Sequence, residues 1–284
     1  MKIRMVTVGS LSALIAASPA YAADVDANWH HGGTLPAVSR TNFKLGLSGG
    51  FVDLDNEDSG GRVQLEGSYT TPLSHATGLQ IDASIGALDD EATGSAAAHL
   101  FTRDPASYLV GAWGGWAAVG SNDIFRVGPE VALYMGQFTI EGTAGYEDSD
   151  TNGDDAYVFA NFAYYPTDDV KLYAGYRRSL GRDAGALGFE WQVGDVFGVQ
   201  TPVSVFAEGQ VGDDDHATIW AGLRMYFGDQ DKSLIRRHRE DDPVDPSQAL
   251  NQLEGQCIPT TEEDAVSVGT CPISAPSKKG PGPE

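Results

Sequence analysis

The side chains with the greatest capacity for chemistry in this sequence are charged residues that alternate with apolar ones along short segments. Glu141 follows Ile140, and Arg224 follows Leu223, in segments where apolar residues recur at every second position. Such alternation puts charged side chains on one face of a β-strand and apolar ones on the other. The charged faces could form ion pairs or line a polar passage. This set comprises Lys44, Glu66, Asp82, Arg126, Glu130, Glu141, Lys171, Arg177, Glu190, Glu208 and Arg224.

Two close approaches within this set are predicted from the positions of the turns. Lys171 and Glu190 each lie a few residues from the same connection, so we expect them to come close on neighbouring strands. Glu130 and Glu141 flank the tight turn M-G-Q, where like charges require a base such as Arg126 nearby. An ion-pair network that fills the interior and a charged constriction that selects ions are equally compatible with these residues.

An acidic stretch, D-S-D-T-N-G-D-D, spaces Asp148, Asp150, Asn152 and Asp154 like the start of a calcium-binding loop. The closing bidentate glutamate of such a loop is missing, because Phe159 stands at that position. We therefore expect a solvated acidic loop, with weak binding of Ca²⁺ or another divalent cation as the alternative. No other cofactor is predicted.

Hydrolytic chemistry would require a serine, a histidine and an acid at one rim of the protein. His216 lies beside a run of aspartates in an expected loop, but no serine is placed near it. His99 is expected to point into the interior, where packing is a more typical role than catalysis. We therefore predict no enzymatic activity, with a hydrolase of lipopolysaccharide or phospholipid as the alternative.

The first residues have the pattern of a secretory signal peptide. Lys2 and Arg4 precede a short apolar run, and S-P-A-Y-A supplies a small-residue cleavage site after Ala22. The apolar run is shorter than the roughly 20 residues that a membrane-spanning helix needs. Residues 1–22 are therefore predicted to be removed, and residues 23–40 to form an irregular lead-in.

The end of the chain, residues 229–284, is predicted to be a largely disordered periplasmic tail. It is rich in proline, glycine and charge and has no apolar stripe. Its basic run, 232–239, is expected either to touch lipid phosphates or to be solvated. Cys257 and Cys271 are the only cysteines, and in an exported chain such a pair predicts a disulfide that closes a small loop. No motif identifies a partner for this tail.

The composition narrows the class of protein further. The net charge is −22, and it becomes about −24 without the signal peptide, so the chain would repel nucleic acid. The 35 glycines and the 10% aromatic content suit strands and turns. No later apolar run approaches the length of a membrane-spanning helix.

Residues 41–228 are predicted to form one all-β domain, a closed up-and-down antiparallel β-barrel that crosses a membrane. Alternate connections are strongly acidic and the others are short or contain proline, which is typical of a barrel with unlike ends. The apolar faces are expected to meet lipid, with Tyr146, Tyr164 and Tyr176 at the membrane interfaces. Twelve strands are predicted, or ten if two glycine-rich segments are unpaired: 42–53, 61–71, 77–87, 93–103, 107–118, 124–135, 137–147, 156–165, 170–179, 185–194, 202–211 and 217–227.

Three stretches carry a family resemblance: GPEVALYMGQFTIEGTAGYEDSD, AYYPTDDVKLYAGYRRSLG and LRMYFG. The first two resemble the tight-turn hairpins, and the third the final strand, of proteobacterial outer-membrane β-barrel proteins of the broad porin-like class. The resemblance implies an outer-membrane location among lipids and lipopolysaccharide. It also implies that the barrel assembly machinery reads the aromatic residue Phe227, although this residue is followed by further chain.

The function implied by this class is that of a narrow passive channel or an envelope structural protein with a charged, polar lumen. A lipid-modifying enzyme is the second hypothesis. A soluble periplasmic β-barrel that binds a small ligand is the third.

Overall fold

A computed structural model describes residues 35–53, 60–89, 91–120, 122–150, 153–194, 201–212 and 217–242. The predicted signal peptide, most of the lead-in, Asn152, His216, Cys257 and Cys271 lie outside the described residues. The predicted disulfide therefore stays a prediction.

The described chain forms twelve antiparallel strands that close into a barrel. Each strand pairs with its neighbours in sequence, and the ring is closed where Phe43 pairs with Phe227. This confirms the twelve-stranded prediction, and the predicted bounds differ from those observed by at most three residues. The strands are β1 Asn42–Asp53, β2 Gly60–Pro72, β3 Thr77–Leu88, β4 Glu91–Asp104, β5 Tyr108–Val119, β6 Asn122–Met135, β7 Phe138–Ser149, β8 Gly153–Thr167, β9 Val170–Ser179, β10 Arg182–Gly194, β11 Val203–Gly212 and β12 Ala217–Phe227.

The apolar faces of the strands point outward and the charged faces point into the lumen. On β12, Leu223 is 45% exposed whereas the adjacent Arg224 is 2% exposed. Closure of the ring leaves no strand edge, so the backbone groups of the strands are paired and the barrel can cross hydrocarbon. The outward-facing apolar side chains form a belt that suits lipid, and the predicted orientation is confirmed.

Outward-facing aromatic residues lie near both ends of the barrel. We call the end that carries the start of β1 and the end of β12 the turn end, and the opposite end the loop end. In outer-membrane barrels such aromatic girdles mark the two membrane interfaces, and the turn end faces the periplasm. The girdle of the turn end includes Phe43, Tyr69, Tyr108, Phe138, Tyr164, Trp191 and Phe227, and that of the loop end includes Phe51, Trp116, Phe125, Tyr146 and Tyr176.

The chain does not leave the barrel after β12. Residues 229–242 turn back into the mouth at the turn end and include a short helix, α1, Leu234–Glu240. Leu234 is 0% exposed there. The tail of residues 229–284 is predicted to be largely disordered, but its first residues, 229–242, are ordered because this segment finds buried polar partners in the barrel wall. No helix of the described chain has the length and hydropathy needed to span a membrane.

The orientation of the belt can be tested at Leu47, a 55% exposed residue in the middle of β1. Leu47→Arg places a charge in hydrocarbon and should reduce the free energy of unfolding in lipid vesicles by about 2–4 kcal/mol. Leu47→Ala is the matched control and should cost clearly less. The measurement is urea unfolding followed by heat-modifiable gel mobility, and an unchanged stability of Leu47→Arg would contradict a lipid-facing belt.

Candidate functional site: a filled polar lumen

All eleven charged residues predicted from the alternating pattern lie on the lumen face. The same face carries further titratable residues that the prediction did not include as site residues, namely Arg62, Arg103 and Glu147. The signal for them was present, because each continues the alternation of its strand. Arg62, Arg103 and Glu147 lie inside the predicted strands 61–71, 93–103 and 137–147, so the parity that selected the other residues also places these three on the lumen face.

Arg224 joins two carboxylates on different strands. Its Nε donates to Glu66 Oε1 at 3.1 Å, and its Nη1 donates to Glu190 Oε2 at 2.7 Å. The guanidinium also stacks 3.8 Å from the ring centroid of Phe206. Each of the three ionic side chains is at most 4% exposed, so the pairing is made away from bulk water. Removing one partner would leave an uncompensated buried charge.

A second ionic group lies nearer the loop end. Arg126 Nε donates to Glu147 Oε2 at 2.8 Å, and Glu147 also accepts from the hydroxyl of Ser179 at 2.9 Å. Glu147 thus connects β6 with the end of β9. A third group pairs Arg177 with Glu208 at 3.6 Å, bridging β9 and β11.

Of the two predicted close approaches, the proximity of Lys171 and Glu190 is confirmed although Lys171 forms its ion pair with another acid, and the base beside Glu130 differs from the predicted one. Lys171 and Glu190 are register partners on β9 and β10, but Lys171 Nζ donates to Glu141 Oε1 at 2.9 Å. The base beside Glu130 is His99 rather than Arg126. The turns were predicted correctly from the sequence. The ion-pair partner of each acid could not be predicted, because bases on other strands also reach it across the lumen.

His99 bridges two carboxylates. Its Nε2 lies 2.9 Å from Asp82 Oδ2 and its Nδ1 lies 2.8 Å from Glu130 Oε2, while the ring stacks 5.7 Å from Trp113. Ionised carboxylates only accept hydrogen bonds, so an imidazole that bonds to two of them must donate from both nitrogens and carry a positive charge. With both nitrogens engaged, His99 cannot serve as a general base toward a nearby serine.

At the loop end the lumen is closed by an apolar cluster. Inward-facing side chains from β1, β3, β5 and β6 meet Leu180 of the β9–β10 turn. These strands lie far apart around the ring, so the cluster crosses the lumen. Its members are Val52, Leu88, Ala117, Val119, Ile124 and Leu180.

At the turn end the lumen is closed by two chain segments, residues 37–39 and 229–242, which we call the mouth plug. The two segments meet where Ser39 N donates to Glu240 O at 2.8 Å. Val38 packs in an apolar cluster with Phe101 and Leu109. Arg237 Nε donates to Gln192 Oε1 at 2.7 Å, which ties the helix to β10.

The lumen between these two closures is filled with side chains. A residue that lines a water-filled passage keeps a large exposed area, yet the lumen acids and bases are at most 6% exposed, apart from Glu141. Seven buried bases and six buried acids of the described strands face the lumen, together with the partly exposed Glu141 and the positively charged His99, so the wall is close to charge balance and the net negative charge of the chain lies elsewhere. The bases are Lys44, Arg62, Arg103, Arg126, Lys171, Arg177 and Arg224, and the acids are Glu66, Asp82, Glu130, Glu141, Glu147, Glu190 and Glu208.

The candidate calcium loop lies at the loop end. Asp148 and Asp154 are register partners on β7 and β8, and their side chains are exposed together with that of Asp150. In the described part of the chain no group of three or more histidine, cysteine, aspartate or glutamate residues is arranged to hold a metal ion. Since Asn152 lies outside the described residues, calcium binding here stays a prediction.

The closed barrel, the apolar belt and the two aromatic girdles define an outer-membrane β-barrel protein of the broad porin-like class. No protein-family model matches the sequence, and no curated protein matches it. The structure of the KdgM porin in complex with disordered oligogalacturonate is similar, with a TM-score of 0.51 and 8% identity over 65% of this chain and 99% of that chain.

Two other outer-membrane barrels are similar at lower TM-scores. The Salmonella typhi outer membrane phospholipase dimer with bound calcium has a TM-score of 0.44 and 13% identity over 72% of this chain and 95% of that chain. Omp33 of Acinetobacter baumannii has a TM-score of 0.43 and 10% identity, over 66% of this chain and 99% of that chain. At these identities the likeness shows the fold and not the activity.

The ionic core can be tested with Arg224→Gln. This change leaves Glu66 and Glu190 buried without their shared base and should reduce the free energy of unfolding by about 3–5 kcal/mol. Adding Glu66→Gln and Glu190→Gln should restore part of the loss. Arg178→Gln is the control, since its pair with Asp183 is 39% and 42% exposed and should contribute far less to the free energy of unfolding. Equal losses for the two arginine variants would contradict a tightly coupled lumen network.

The docking of the mouth plug should weaken in acid. His238 of α1 lies between Tyr165 and Glu190. Burial lowers the pKa of His238 from 6.5 to about 3. The nearby lysines, Lys171 and Lys44, also lower this pKa, whereas the carboxylates of Glu190 and Glu141 raise it. The released segment therefore binds a proton more readily than the docked one. The docking free energy contributed by neutral His238 is present above pH 6.5 and is lost as the pH falls from 6.5 toward 3.

Between pH 7.5 and pH 5, this single group should shift the equilibrium roughly 30-fold toward release. Hydrogen exchange of residues 232–242, corrected for the intrinsic pH dependence of exchange, measures the effect. His238→Asn cannot take up the proton and is the matched control. Identical pH dependence in the two proteins would exclude His238 as the titrating group.

Proposed function

We propose that the protein is a narrow passive channel of the outer membrane and that the described conformation is its closed state. The observation that carries the proposal is a polar lumen whose charges nearly balance and whose two ends are closed by different parts. At the loop end the closure is the apolar cluster of wall side chains with Leu180, and at the turn end it is the mouth plug. A lumen whose charges nearly balance would pass small polar solutes and ions of either sign with weak selectivity.

The shared fold with the KdgM porin supports this proposal at the level of architecture. The proposal includes no enzymatic step. Of the candidate histidines, His99 has both ring nitrogens engaged by carboxylates inside the lumen, where lipid does not reach. An outer-membrane hydrolase would need its nucleophile and base at a rim that substrate can approach.

A second candidate function is that of an envelope structural protein. It is favoured by the near-complete burial of the lumen network, which stiffens the barrel whether or not solutes ever pass. The two candidates differ in one measurable property, since only the channel has an open state.

The channel can be tested by single-channel recording in planar bilayers. The unchanged protein should show rare, small openings. Val52→Ser with Ile124→Ser places hydroxyls in the apolar cluster, eases its hydration and should raise the fraction of time spent open by roughly tenfold. The outward-facing Val63→Ala is the control and should leave the openings unchanged. If none of the three proteins conducts, although heat-modifiable mobility shows that each is folded, the structural role is favoured.

A further inference from the structure

Two adjacent acids at the end of the described chain occupy a basic pocket in the barrel mouth. Lys44, which is 3% exposed on β1, forms an ion pair with Asp242. Lys232 Nζ donates to Asp241 Oδ1 at 2.6 Å, and the hydroxyl of Ser39 donates to the same oxygen. Asp242 thus pairs with a buried cation of the wall, and Asp241 pairs with the buried Lys232 of the plug itself.

Arg103 of β4 adds a further cation at this place. It is 2% exposed, its Nε donates to Ala37 O at 2.5 Å, and its guanidinium lies beside the Tyr134 hydroxyl without a hydrogen bond to a carboxylate among the described residues. Asp241 and Asp242 both act on it electrostatically. A buried guanidinium whose terminal nitrogens hold no carboxylate has the capacity to bind one in its fork.

We propose that Lys44 and Arg103 form a binding site for small solutes that carry two carboxylates, and that Asp241 and Asp242 occupy it as an internal substitute for such a solute. The wall supplies the cations and the mouth plug supplies the anions, so an incoming dianion and the plug compete for the same charges. Binding of the solute releases residues 229–242 from the mouth. The inference rests on the proposed channel function, because release of the plug opens the turn end of the lumen.

The carboxylates of Asp241 and Asp242 lower the apparent affinity of the site for a solute. A segment tethered next to its site has an effective concentration in the millimolar range. The site of the intact protein is therefore competent for a solute only in the fraction of molecules whose plug is released, and its apparent affinity is reduced by that fraction. Removing the two plug charges should expose the intrinsic affinity of the site.

The experiment uses the full chain with Asp241→Asn and Asp242→Asn, and sodium succinate as the probe. In this variant succinate should raise the midpoint of thermal unfolding at concentrations roughly tenfold lower than in the unchanged protein, with sodium chloride at equal ionic strength as the reference. Asp229→Asn is the matched control, because Asp229 lies on the same segment but pairs with the exposed Arg40. Heat-modifiable mobility shows that each variant is folded.

The site is tested by adding Lys44→Gln to the doubly substituted chain, which should abolish the response to succinate. Equal responses of the Asp229→Asn control and the doubly substituted chain would overturn the proposal, as would a response that survives Lys44→Gln or no response at all. Single-channel recording distinguishes failure of the proposed channel from failure of the proposed dicarboxylate site. Succinate binding in a chain that never conducts would refute the channel alone, and conduction that succinate binding does not accompany would refute the site alone.

Discussion

The constraint on which the rest of the structure depends is that a charged side chain inside the barrel has no bulk water to solvate it. The outer face must be apolar because it meets hydrocarbon, so period-two alternation places the polar residues in a narrow interior. There each charge is stable only if an opposite charge or a set of hydrogen bonds compensates it. Arg224 between Glu66 and Glu190, and His99 between Asp82 and Glu130, satisfy this condition.

The same condition accounts for the mouth plug. Lys44 and Arg103 lie at the turn end, where the wall alone provides few acids to balance them. Residues 229–242 bring Glu240, Asp241 and Asp242 into the mouth, and Lys44 and Lys232 pair with them. What looks in the sequence like a solvated mixture of acids and bases is a docking segment whose charges complement those of the barrel.

The barrel itself could be predicted from the sequence because its signals are local. Alternation defines each strand, turn residues separate the strands, and an up-and-down order requires only that neighbours pair. The direction of each lumen side chain followed from the same parity, as for Glu208 and Arg224. The choice of ion-pair partner could not be predicted, since Lys171 reaches Glu141 across two strands rather than its register partner Glu190. The plug was missed for a similar reason, because a short helix with few apolar residues becomes stable only against the mouth that it fills.

The mouth plug also has a mechanical consequence for the seam of the barrel. Only β1 and β12 are joined without a connecting turn, so their pairing is the place where the ring could open sideways. Arg40 with Asp229, Ser39 with Glu240, and Lys44 with Asp242 all fasten the start of β1 to the chain that follows β12. These contacts hold the start of β1 against the chain that follows β12. Withdrawal of the plug would therefore leave the seam held by its ladder of backbone hydrogen bonds and by side-chain contacts such as that of Phe43 with Phe227.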